Sequence, residues 1–160
     1  LTPYSQEIGL SRAASVFFIS YAIVTFVTRP FTGTAFDRRG PRFVMVPAFF
    51  ALAAGMAMLG AAQNDWILLL SSMFLGYGVG TIQSSGLAMA VRRVSDTQLS
   101  KANSTFYVML DAGVGLGPIF LGMLVPVIGY RAMYELMAVV ALLGLVVFLV
   151  VCRKDFAPGE

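Results

Sequence analysis

At 160 residues, 58% hydrophobic and 12% charged, with a mean hydropathy of +0.82, the chain is too apolar for a soluble domain, which carries about twice that share of charge. The absence of histidine excludes His-ligated metal sites and His proton relays, and the single cysteine, Cys152, excludes an intrachain disulfide. The net charge of +3 is no nucleic-acid signal, because the basic residues sort by membrane side instead of gathering in one patch.

Charges vanish over 13–28, 43–64, 66–91, 112–130 and 136–152. A hydrocarbon core of ~30 Å takes ~20 helical residues. The pattern predicts an all-α integral membrane protein with a transmembrane bundle over 11–152 and five spans, near 11–35, 43–63, 65–91, 102–127 and 131–152. Residues 1–10 are expected to face outward and 153–160 to form a tail. In the first span Tyr21, Thr25, Thr28, Arg29 and Thr32 recur at helical spacing. The second has no charged or amide side chain. The third gathers Tyr77, Thr81, Gln83, Ser84 and Ser85 near its middle. The fourth puts Asn103, Tyr107 and Asp111 on one face at i, i+4 and i+8. The fifth, 136–151, is Leu, Val, Ala, Met, Phe and Gly throughout. Polar stripes are expensive against lipid, so the first, third and fourth spans should face protein or a wet cavity, and the second and fifth should face lipid. Eight of the eleven Lys and Arg lie in 37–42, 92–101 and at Arg153–Lys154. The positive-inside rule places these segments, and the C-terminus, in the cytoplasm of a multi-pass protein of the cytoplasmic (inner) membrane.

The turn between the first two spans carries the most specific pattern. Gly33-x-x-x-Asp37-Arg38-x-Gly40-x-Arg42 resembles the signature loop of the major facilitator superfamily, whose members are secondary transporters. Pro41 stands where that family often has a basic residue. The order inner, outer, inner, inner, outer is similar to positions two to six of a six-helix half in that family. The resemblance implies that the loop gates the cytoplasmic side by clasping the two halves, with Asp37 latched to the missing half. From the residues themselves, Gly33 suits close helix approach, Gly40 and Pro41 suit a tight turn, and Asp37 can accept from the amides of a helix N-terminus. Arg38, Arg39 and Arg42 belong at headgroup level.

Within the spans, Arg29 needs a partner, and Asp111 is the only deep acid. An Arg29–Asp111 pair is expected, and two roles stay open for it: a static ion pair, or an acid that takes up and releases a proton as its surroundings change. Gly113, Gly117 and Pro118 suit helix packing with a kink. They partly resemble the glycine-proline motif of drug and proton antiporters, although Leu121 breaks the expected double glycine. Tyr77, Thr81, Gln83, Ser84 and Tyr107 are the candidates for lining a substrate cavity, and each could equally make an interhelical hydrogen bond. Ser72 occupies a place where the family's first half often has an arginine, which favours the second, C-terminal half, helices eight to twelve.

The function expected is part of a secondary active transporter moving a small molecule by alternating access, as proton-coupled efflux or antiport. Alternatives are an inactive structural or assembly fragment, and uptake of a small metabolite or sugar. An enzyme is disfavoured, because the spans hold no nucleophile–base pair and no acidic metal cluster. No cofactor or metal is expected. The partners are membrane lipid, a missing N-terminal half, a small-molecule substrate and protons, with no nucleic acid. The chain opens on Leu1 and reads as a fragment.

Overall fold

A computed structural model describes residues 11–152, with side chains from Val16 onward. The expectations for 1–10 and 153–160 lie outside the described residues. The elements are α1 (Ser11–Arg39), α2 (Pro41–Gly60), α3 (Asp65–Arg92), a 3-10 turn at Asp96–Gln98 and α4 (Leu99–Val151). All four α-helices are long and apolar enough to cross a membrane.

The first three predicted spans fall on α1, α2 and α3. The fourth and fifth, 102–127 and 131–152, are not separated by a loop. They join in α4, which breaks only at Gly129, with φ 76° and ψ 166°. Glycine reaches that backbone region without steric cost, so one residue replaces the expected turn. The first arm of α4, 99–128, leaves the end of the molecule where Arg92 and Arg93 lie. The second arm, 130–151, returns to it, and Cys152 accepts at its sulfur from the Arg93 guanidinium at 3.4 Å.

Helix α3 is the hub, and small residues make it so. A Cβ at Gly76 would lie 2.7 Å from the Tyr21 carbonyl oxygen, and one at Gly80 2.8 Å from Thr25 Cγ2, both on α1. A Cβ at Gly78 would lie 2.9 Å from the Ala48 carbonyl oxygen on α2, and one at Gly55 2.8 Å from Leu75 Cγ. These approaches leave no room for a side chain, as the glycine spacing in α3 suggests. Across the same contact Thr25 Oγ1 donates to the Gly76 carbonyl at 3.0 Å. Asn64 caps α3, its Oδ1 accepting from the Ile67 N–H at 3.0 Å.

Two clusters close the bundle. At the end away from Arg92 and Arg93, Phe17, Leu59, Ala62, Leu68 and Leu75 pack with Tyr130 and Tyr134. At the basic end, Met45, Leu145, Phe148 and Cys152 pack with Phe49 and Met89. The second arm of α4 thus lies along α2. The first arm has no buried residue. Val114, Phe120, Met123 and Val127 are all at least two-thirds exposed.

Candidate functional site: a charged hairpin beside an uncovered helix face

Helices α1 and α2 are joined by Gly40 alone, at φ 82° and ψ 170°. That region is essentially reserved for glycine. The Gly40 N–H donates to the Phe36 carbonyl at 3.0 Å, and Pro41 opens α2 at its first turn, where its missing N–H costs nothing. The Gly-Pro pair of the motif therefore makes the hairpin as short as two antiparallel helices allow.

Because α1 and α3 run parallel, their charged C-terminal ends coincide. Asp37 accepts from the Arg92 guanidinium in the last turn of α3. The same guanidinium lies 4.8 Å over the Phe36 ring. The expected acceptance from backbone amides of a neighbouring helix gives way, within this chain, to a side-chain ion pair. Both partners are more than half exposed, so the pair is worth about 0–1 kcal/mol. Arg38 and Arg42 are exposed beside it. The spacing of the motif did not single out Arg92. The cue was present, though: a cation closing α3, which runs parallel to α1.

Arg29, Gly33 and Asp37 lie on one side of α1 and line a crevice of about 210 Å³ with Phe36, Ser84, Ser85 and Ala88. A Cβ at Gly33 would meet nothing within 4 Å. Ser84 donates to the Gly80 carbonyl at 2.9 Å. The expected Arg29–Asp111 pair does not form: both residues are exposed, and among the described residues no ion pair joins them. The reason lies in the fold, since α1 and α4 share no substantial contact.

The five cavity candidates are not brought together. Tyr77 is half-buried in an apolar furrow with Pro47 of α2. Thr81 is 1% exposed inside the bundle, and its hydroxyl has no hydrogen-bond partner among the described residues. Ser84 belongs to the Arg29 crevice. Gln83 is half-buried three residues before Gly86, where Phe106 of α4 approaches to 3.3 Å of a would-be Cβ. Tyr107 is exposed, edge-on to Phe106. The hydroxyls of α1 that look like a polar stripe are largely spent on their own helix: Thr28 donates to the Val24 carbonyl at 2.7 Å and Thr32 to that of Arg29 at 3.1 Å. A Cβ at Gly113 or Gly117 would meet nothing within 4 Å, and Pro118 is exposed, so their packing surface has no partner within the described residues.

Long apolar helices, a one-residue basic hairpin and polar groups on uncovered faces define a multi-pass all-α membrane protein. A family model of the Major Facilitator Superfamily matches residues 1–159, and the chain belongs to that family. It is 25% identical to the multidrug resistance protein MdtG of Proteus mirabilis, with 97% of this chain and 40% of the relative covered. It is 27% identical to MdtG of Dickeya zeae, covering 99% of this chain and 40% of the relative, and 28% identical to MdtG of Citrobacter koseri, covering 97% and 39%. The chain therefore spans about two fifths of the length of these curated relatives. No solved structure gives a significant match.

Proposed function

We propose that the chain supplies the second half, helices eight to twelve, of a proton-coupled transporter that exports small drug-like molecules by alternating access across the cytoplasmic membrane. The hairpin and the C-terminus lie in the cytoplasm. The observation that carries this reading is the uncovered face of α1. Arg29, Gly33 and Asp37 stand in a row along it, at the edge of the crevice with Ser84 and Ser85, and a Cβ at Gly33 would meet nothing within 4 Å. A lone basic side chain inside a membrane is costly, so this face needs a polar partner from outside the described residues. The similarity to multidrug resistance proteins of the MdtG type supports export of drugs as the substrate class. Asp111, exposed on the first arm of α4, is the carboxylate that carries the proton as the two halves rock about a midplane site.

The test uses inside-out vesicles holding the chain together with the helices that complete it. With an imposed proton gradient, the vesicles accumulate a lipophilic cationic dye. Asp111→Asn abolishes the gradient-driven part while leaving dye exchange. Unchanged coupling in that variant removes the proton role, and no dye movement in the complete protein removes the transport reading itself.

A further inference from the structure

A second feature lies on the other side of α1. Phe31, Thr32 and Ala35 of α1, Phe43, Val44 and Pro47 of α2 and Tyr77 of α3 line a crevice of about 360 Å³. Pro47 and Tyr77 also line a larger groove of about 650 Å³ that continues between Ala51 and Ala54 of α2 and Met73 and Phe74 of α3. The two form one furrow from Phe43 to Ala54, eleven residues of helix, or about 16 Å at ~1.5 Å per residue. That is half of a ~30 Å hydrocarbon core, the depth of one leaflet. The furrow begins at the basic end of the bundle. There the Arg39 guanidinium stands 4.6 Å over the ring of Phe43, the furrow's first residue. Arg38 is exposed beside it. Asp37, two residues before Arg39, is engaged by Arg92.

We propose that this furrow is a lipid-binding site that holds one acyl chain of an anionic phospholipid, with its phosphate on Arg39. The walls are apolar along one leaflet's depth, and the charge at the mouth is complementary to a phosphate at headgroup level. A cation stacked on an aromatic ring keeps its outer N–H groups free to donate. Basic clusters at a membrane face attract anionic lipid at about 1 kcal/mol per residue, or about fivefold in affinity. Pro47 contributes shape: its ring excludes a helical N–H and leaves a smooth apolar wall in mid-helix. The site lies away from the Arg29 crevice and needs only that the chain spans a membrane, so it stands or falls independently of transport.

Native mass spectrometry of the full chain in detergent, titrated with phosphatidylglycerol or phosphatidylcholine of identical chains, reads the site. Phosphatidylglycerol is expected to bind more tightly. Arg39→Gln lowers that preference about fivefold and leaves phosphatidylcholine binding in place. Ala54→Phe, which fills the exposed end of the furrow, weakens both lipids. Arg131→Gln, at the opposite end, changes neither. Equal affinity for the two lipids, a preference that survives Arg39→Gln, or binding indifferent to Ala54→Phe overturns the proposal. So does a disulfide-linked pair of chains formed through Ala54→Cys in a Cys152→Ser background, which would make the furrow a protein–protein seam.

Discussion

Thr81 carries the one buried side-chain hydroxyl that finds no partner among the described residues. Its sequence neighbours Tyr77, Gln83 and Ser84 read alike, as polar groups in mid-span, yet the structure gives them four different surroundings. What separates them is the angular position of each on α3 relative to α1, α2 and the first arm of α4, which composition does not encode. A buried hydroxyl that donates to nothing has lost its water without return, at about 1–3 kcal/mol. Thr81→Val keeps the shape and deletes that cost. Thermal unfolding of the detergent-solubilised chain should show the variant as stable as the parent, or more stable by about 1 kcal/mol. A loss of stability would mean that the hydroxyl has a bonding partner in the solubilised protein. Asp37 shows the reverse case. The Gly-x-x-x-Asp-Arg pattern marked it as important, but its ion-pair partner lies 55 residues away, and no local spacing points there.

Helix identity was readable in the charge-free runs, and the boundaries of α1, α2 and α3 differ from the expected ones by a few residues at their ends. The exception is α4, where Gly129 alone reverses the chain. A turn of that economy leaves little compositional trace beyond the glycine itself. Packing was less readable, because two glycine runs of similar appearance behave differently. Gly76, Gly78 and Gly80 touch backbone and side chains of α1 and α2 at distances no Cβ tolerates, whereas Gly113 and Gly117 face open space. Gly78→Ala should therefore cost about 1–3 kcal/mol, since backbone atoms of Ala48 and Leu52 cannot step aside. Gly113→Ala should be neutral or gain up to about 1 kcal/mol, because alanine loses less backbone entropy in a helix. Unfolding in mixed detergent gives both values. Equal penalties would show that the first arm is packed against something in the isolated chain.

At the scale of the whole molecule, the polar stripes predicted that α1, α3 and the fourth span face protein. The structure satisfies this for α3, which lies between α1, α2 and the second arm of α4, and for the side of α1 that carries Thr25 and Thr32. The open side of α1, with Arg29 and Gly33, and most of the first arm of α4, with Asp111 and Gly113, remain exposed, while Phe106 on that arm approaches Gly86 of α3. Physically this is the expected state of a chain that spans about two fifths of its relatives. On the proposed reading, helices outside this chain would supply the apolar contact and the opposite charges for those faces. The consequence can be measured with single cysteines in a Cys152→Ser background, placed at Gly33, Gly113 and, as a buried control against α2, Ala141, which is 7% exposed. In detergent, a maleimide should label Gly33→Cys and Gly113→Cys rapidly in the isolated chain and Ala141→Cys slowly. Joined to the helices that complete the transporter, the first two should slow while the third stays unchanged. If Gly33→Cys and Gly113→Cys label as fast in the complete protein as in the chain alone, those faces meet lipid, and the signature hairpin of this chain does not sit at a seam between two halves.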